Sequence, residues 1–187
     1  MMALRWLAVI GLVVGMVTVA FMNMPEPQKK IQEGDSAIVT TLPDVDGQPH
    51  SLPQGEVVLL HFWATWCAPC REEIPSMVAM YNVLKAQGLK VFAVSTDKNG
   101  DDVREFIQLH HISFPVVRDV DVSFANRYGI TGYPETYIIN RQGVVVKHIV
   151  GPAPWQNPDT RAWLMSLLKE SPKRQGNSTA AVRQPGA

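Results

Sequence analysis

Cysteine is scarce: the 187 residues hold two, Cys67 and Cys70. That number excludes a disulfide-stapled mini-protein and a four-cysteine zinc site. Basic residues are not gathered into a stripe. Lys and Arg total 17 against 17 Asp and Glu, and Asn23–Glu170 carries 13 basic and 17 acidic residues. The footprint of a nucleic-acid binder is therefore missing, and no such partner is expected. Long apolar runs are absent except at the start, where Trp6–Met22 passes without a charge. Internal repeats are absent too. What is present is a hydrophobic content of 46%, too high for a disordered chain, and enough length between head and tail for one domain with a proper core.

As a helix, Trp6–Met22 reaches about 26 Å, near the lower limit for a ~30 Å hydrocarbon core. Two readings stay open, a retained membrane anchor and a cleaved secretory signal. Thr18-Val19-Ala20 offers a small-x-small cleavage site, but bulky Phe21 and Met22 follow it. A buried core helix is the bland alternative. Arg5 before the run against Lys29 and Lys30 after it mildly opposes the positive-inside rule. The short lead nevertheless has the form of a signal or signal-anchor, which places the domain on the extracytoplasmic, periplasmic side of a bacterial inner membrane. The expected organisation is 1–24 signal-anchor or signal peptide, 25–36 tether, 37–170 folded domain and 171–187 disordered tail.

Along the body, Ala37–Leu42 alternates weakly ahead of the Asp46-Gly47 turn signal, which predicts a short edge β element. Val57–Trp63 (VVLLHFW) is a continuous apolar run of strand length, as in a strand covered on both faces. Cys70–Gln87 carries Met77, Met80, Tyr81 and Leu84 at helical spacing, with Gly88 as its stop. Lys90–Ser95 predicts a second buried strand and Asp101–His110 a helix with an acidic first turn. Phe114–Val117 reads as a short strand and Ser123–Tyr128 as a short helix. Glu135–Asn140 and Val144–Val150 flank a glycine-containing hairpin loop, and Asp159–Lys169 closes the domain as an amphipathic helix. This order implies an α/β fold: a mixed central sheet with helices on both faces.

The chemistry-bearing segment is Trp66-Cys67-Ala68-Pro69-Cys70, between a buried strand and a helix start. Residues three apart share a helix face, at a separation compatible with a disulfide. A thiol at a helix N-terminus meets unsatisfied N–H groups and the positive end of the dipole, so Cys67 is expected to ionise below the ~8.5 of free cysteine. Cys67 is the expected attacking thiolate and Cys70 the resolving thiol. Pro69 suits a first helical turn, where a missing N–H costs little. A purely structural disulfide over so short a loop constrains the unfolded chain weakly. A metal site would need further ligands, with His61, His110 and His111 as candidates.

FWATWCAPC (Phe62–Cys70), Pro75 inside the helix and Gly132-Tyr133-Pro134-Glu135-Thr136 later in the chain together resemble the thioredoxin superfamily. Within it the chain is most similar to the membrane-anchored TlpA, ResA and CcmG/DsbE-like thiol–disulfide oxidoreductases, over roughly 38–168. The resemblance implies a thioredoxin-like fold and a redox-active Cys67–Cys70 disulfide with no other cofactor and no metal. It implies protein thiols and disulfides as substrates, apocytochrome c among them, reduced by a C-x-x-C dithiol and recharged by a CcdA- or DsbD-like membrane protein. Pro134 matches the family's cis-proline, beside which the Tyr133 backbone can pair with an extended substrate. Trp66, Ala68 and Pro69 would join Tyr133 in the substrate groove, and Glu135, beside the proline, could line it too or stand as an exposed loop acid.

Two further residues carry open alternatives. Glu73 stands where ResA- and CcmG-like members place an acid that tunes the cysteines or relays protons, but a glutamate in a first helical turn also complements the dipole. His61 departs from thioredoxin, which has a buried acid at that strand position. Its imidazole, with a pKa in the useful range, could take over proton transfer; a buried histidine satisfied by backbone is the competing reading. A second function class is a copper-binding assembly factor on the same fold, although Sco-like proteins use the longer C-x-x-x-C spacing.

Overall fold

The computed structural model describes residues 30–170 without a break, together with residues 6, 11, 13–16, 18 and 19, all helical. Among the described residues no helix is long and apolar enough to cross a membrane. The rest of the expected leader, the start of the tether and the expected tail 171–187 lie outside the described residues.

Within residues 30–170, seven strands and four α-helices follow in the order β1 (Thr41–Pro43), β2 (Pro49–Ser51), β3 (Val57–Trp63), α1 (Ala68–Leu84), β4 (Leu89–Ser95), α2 (Gly100–Leu109), β5 (Val116–Arg118), α3 (Ser123–Tyr128), β6 (Glu135–Ile139), β7 (Val145–Val150) and α4 (Pro158–Lys169). A 3-10 turn, Lys85–Gln87, extends α1 to Gly88, whose φ of 100° provides the left-handed cap. The main sheet has the order β5-β4-β3-β6-β7. Strand β3 runs parallel to β4 and antiparallel to β6, so the sheet is mixed and β3 is central.

Centrality explains why β3 is buried at every position and apolar at all of them but His61. Val57, Leu59 and Trp63 face a core built with Ile74, Met77 and Leu84 of α1, Val103 and Phe106 of α2, and Leu164 and Leu168 of α4. Val58, Leu60 and Phe62 face a second core with Phe124 and Tyr128 of α3. Fully burying each such side chain contributes roughly 1.5–3 kcal/mol, which makes the two-sided cover the main stabiliser of the domain. Short α3 is held by Asp119, whose carboxylate accepts the N–H groups of Phe124 and Ala125 at 3.2 and 2.7 Å.

Three boundaries differ from the sequence expectation by more than a residue at one end. Helix α1 begins at Ala68, because Cys67 itself is the cap. The expected strand Phe114–Val117 begins at Val116, since Pro115 has no N–H to give a ladder and Phe114 turns its ring onto Tyr81 instead. The expected edge element at Ala37–Leu42 is displaced: the hairpin is β1–β2, while Ala37 belongs to a strap along β7. In that strap Gly34 N–H donates to Val145 O (2.8 Å), Val145 N–H to Asp35 O (2.9 Å) and Ala37 N–H to Gly143 O (2.8 Å). The strap covers part of the sheet edge that β7 would otherwise expose.

Candidate active site

Strand β3 ends at Trp63 and the chain turns sharply into α1. Buried Asp97, two residues beyond β4, holds that turn. One carboxylate oxygen accepts Thr65 N–H (2.9 Å) and the Ser95 hydroxyl (2.7 Å), and the other accepts the Thr65 hydroxyl (2.6 Å). Cys67 N–H donates to Ala64 O at 3.2 Å. The turn delivers Cys67 to the N-cap with extended backbone, and its Sγ accepts Cys70 N–H at 3.3 Å. Pro69 falls in the first turn, as expected.

The two cysteines form a disulfide, with Cα atoms 5.3 Å apart. Cys67 is 6% exposed and Cys70 fully buried, so an incoming sulfur reaches Cys67 first. Ala68 and Pro69 are exposed and Trp66 is 66% exposed, an unusual position for a tryptophan without a partner surface. Trp63, by contrast, is packed against Phe106 in the core.

The Tyr133–Pro134 peptide bond is cis, as the resemblance implied. Pro134 is buried and its carbonyl accepts Gly151 N–H at 2.8 Å. Tyr133 meets the Trp66 ring edge-to-face at 5.7 Å. That contact sets the cis-proline loop beside the cysteine pair, although about sixty residues separate them in sequence. Across α1, a cleft of about 350 Å³ lies between Ala68, Arg71 and Glu72 on one side and Leu109 and His110 on the other.

Glu73 is 4% exposed and lies one turn into α1 from Cys70. Trp155, from the segment between β7 and α4, donates its indole N–H to Oε1, while Oε2 has no hydrogen-bond partner among the described residues. Burial raises its pKa to about 7, against smaller opposing effects of the Trp155 and Ala153 hydrogen bonds. Such a group can hold or release a proton at neutral pH beside the resolving cysteine's turn.

His61 is fully buried on the α1 face of the sheet, in the alternation that carries Leu59 and Trp63. Its Nδ1 lies 2.9 Å from the Thr136 hydroxyl, so a side chain on β6 and not the backbone satisfies it. Nε2 has no partner among the described residues. Burial pushes the pKa down to about 3, which corrects the expectation of a useful value near neutrality: the imidazole is uncharged there.

Glu135 requires a correction as well. It was expected in the substrate groove, but its side chain is 0% exposed and shares a sheet face with Phe62 and Tyr137. Its carboxylate accepts Thr131 N–H at 3.0 Å and Lys30 Nζ–H at 3.1 Å, and lies 2.7 Å from His148 Nε2. Burial alone would raise its pKa; the hydrogen bonds and the Lys30 charge outweigh that and lower it. Four residues of this site were not singled out from sequence: Lys30, Asp97, His148 and Trp155. The buried-polar pattern of Ser95-Thr96-Asp97 after an apolar strand was a usable signal for one of them. Among the described residues no group of three His, Cys, Asp or Glu side chains is placed to hold a metal ion.

The AhpC/TSA family profile matches residues 34–148. The thiol-disulfide oxidoreductase ResA of Bacillus subtilis is 36% identical over 126 residues, covering 66% of this chain and 70% of its own. ResA of Halalkalibacterium halodurans is 33% identical over 148 residues, covering 78% of this chain and 83% of its own. Among solved structures, a DsbE-type thiol:disulfide interchange protein of Chlorobium tepidum superposes with a TM-score of 0.68 at 33% identity, over 74% of this chain and 99% of that one. StoA of Bacillus subtilis gives 0.59 at 27% identity, over 68% and 96%. With a cysteine pair capping α1, a cis-proline loop against it and this thioredoxin-like sheet beneath, the chain belongs to the AhpC/TSA family and, within it, to the ResA-type thiol–disulfide oxidoreductases.

Proposed function

We propose that this protein reduces disulfides in extracytoplasmic proteins, with the Cys67–Cys70 pair as its sole redox group. In the reduced protein the Cys67 thiolate attacks one sulfur of a substrate disulfide. The Cys67–substrate bond forms, the substrate S–S bond breaks, and the second substrate sulfur leaves as a thiolate that takes a proton. Cys70, deprotonated, then attacks Cys67 Sγ; the substrate leaves as a dithiol and the Cys67–Cys70 disulfide remains. Glu73, one turn from Cys70 and close to half-ionised at neutral pH, is suited to accept the Cys70 proton. His61, kept uncharged by burial with its pKa down at about 3, is too weak a base to take that proton and stays neutral beside Thr136.

The observation that carries this reading is the asymmetry of the pair: Cys67 sits at the helix tip on the rim, Cys70 is sealed behind it, and the Tyr133–Pro134 loop stands alongside. An extended substrate can pair with the Tyr133 backbone, with Trp66, Ala68 and Pro69 as the opposite wall. Apocytochrome c cysteine pairs are the proposed substrates, a CcdA- or DsbD-like membrane protein the proposed reductant, and the segment Trp6–Met22 the proposed inner-membrane anchor.

Cys70→Ala tests the mechanism and the thiol partners together, because it removes the group that resolves the mixed disulfide. The variant should accumulate covalent adducts at Cys67 that contain cytochrome-maturation partners and disappear on reduction. Adducts restricted to copper-centre assembly proteins would overturn the substrate assignment. No adduct at all would overturn the mechanism.

A further inference from the structure

Glu135 is the residue immediately after the cis-proline, yet its carboxylate points away from the cysteines into a fully buried position. Oε1 accepts Thr131 N–H at 3.0 Å and faces the Thr131 hydroxyl at 3.4 Å, which closes the segment 131–135 on itself. Oε2 takes Lys30 Nζ–H at 3.1 Å and lies 2.7 Å from His148 Nε2. A buried carboxylate is costly unless paired. Among the described residues Lys30 is the one partner of this carboxylate with a full permanent charge, and it comes from the far end of the chain, not from the loop it neutralises.

The fold makes a place for that lysine. At Gly129, with φ +71°, an added Cβ would lie 2.9 Å from Cα, Cβ and Cγ of Lys30, so the lysine lies flat over a position that only glycine leaves open. Downstream, Ile31 N–H donates to Tyr128 O (3.4 Å), Glu33 accepts His148 N–H (3.1 Å) and pairs with Lys147 (3.4 Å), and the strap continues along β7.

We propose that Lys30 is a positioning residue for the substrate-binding loop: through the Glu135 carboxylate, the docked strap fixes Thr131–Pro134 in the conformation that presents Tyr133 to substrate. The proposal rests on the reading that this loop receives the substrate. A loop held open or shut by a strap contact changes how well a peptide aligns with Cys67, and leaves the sulfur's own chemistry alone.

The test uses the full chain with Lys30→Met, Lys30→Arg and Tyr133→Ala, and two readouts. One is KM and kcat for an extended disulfide-containing peptide; the other is the pH dependence of Cys67 alkylation by iodoacetamide. Lys30→Met should raise KM roughly tenfold, a fraction of the loss that misplaced reacting groups can cause. The alkylation midpoint should not move, and Lys30→Arg should restore KM. An unchanged KM, or a KM that rises only together with a shifted alkylation midpoint, overturns the proposal, and so does failure of the arginine to rescue. If Tyr133→Ala raises KM while Lys30→Met does not, only the role of Lys30 falls; if a peptide N-methylated beside its cysteine, and so unable to pair with the Tyr133 backbone, keeps the KM of its parent, the reading of the loop as the substrate site falls with it.

Discussion

Glu73 is an acid kept where a carboxylate is disfavoured. Its folded pKa, about 7, lies above the ordinary 4.5, so between those values the folded chain holds a proton that the unfolded chain has already released. The stability associated with this proton is complete below pH 4.5 and is lost as pH rises through 7, in all on the order of 3 kcal/mol. Glu73→Gln keeps an acceptor for the Trp155 indole and cannot ionise. In the oxidised protein it should therefore be more stable than the parent at pH 8 and about equal at pH 4, as read by urea unfolding at both values. Equal pH dependence in the two proteins would show that the buried carboxyl is not the titrating group. Trp155→Phe acts in the opposite sense: losing the indole N–H removes an interaction that favours the carboxylate, so the midpoint of the pH dependence should move higher.

The turn between β3 and α1 places the reactive sulfur, and Asp97 is its keystone. Asp97→Ala strands the Thr65 N–H, the Thr65 hydroxyl and the Ser95 hydroxyl together in a buried spot, and should cost roughly 2–4 kcal/mol in urea unfolding. Thr65→Val removes one of those donors and should cost about 1 kcal/mol. The double variant should fall short of the sum, because the two single changes break the same contacts; additive costs would mean that Asp97 does not act through Thr65. Here lies the difference between what the sequence discloses and what it conceals. Val57–Trp63 could be read as central because all its positions but His61 are apolar, and Cys67 as reactive because strand, turn and C-x-x-C are contiguous. Pro134 became legible through its Gly-Tyr-Pro-Glu-Thr setting. Asp97, Trp155, His148 and Lys30 did not, since each acts on a residue 13 to 105 positions away and carries no local periodicity. Glu135 misled for a related reason: next to a proline in a polar stretch it looks exposed, and only the β6 register with Phe62 turns it inward.

The direction of electron flow belongs to the whole molecule, because the potential of a folded dithiol differs from that of the unfolded chain by the difference between the folding free energies of its oxidised and reduced forms. Two features oppose one another here. The helix N-terminus and the Cys70 N–H stabilise a Cys67 thiolate, which favours the reduced form. Burial of Cys70 between α1 and the sheet gives no such help to a second charge, and leaves a closed disulfide as an unpenalised neutral group. Magnitude decides between them. A C-x-x-C thiol with a pKa of ~7 favours the reduced form at neutral pH by only ~0.4 kcal/mol, or about 9 mV, whereas a strong oxidant such as DsbA depends on a pKa near ~3.5. Among the described residues the Cys67 sulfur accepts one hydrogen bond, from the neutral backbone N–H of Cys70, and the contribution of a helix N-terminus is modest. The oxidised protein should therefore unfold at a urea concentration no lower than the reduced protein, and each ~1.4 kcal/mol of excess stability should move the potential about 30 mV in the reducing direction. Paired unfolding curves, set beside an equilibrium with glutathione, measure both sides of this cycle. A reduced form that is the more stable of the two, with a potential near the roughly −120 mV of DsbA, would make the protein an oxidant and reverse the proposed reaction.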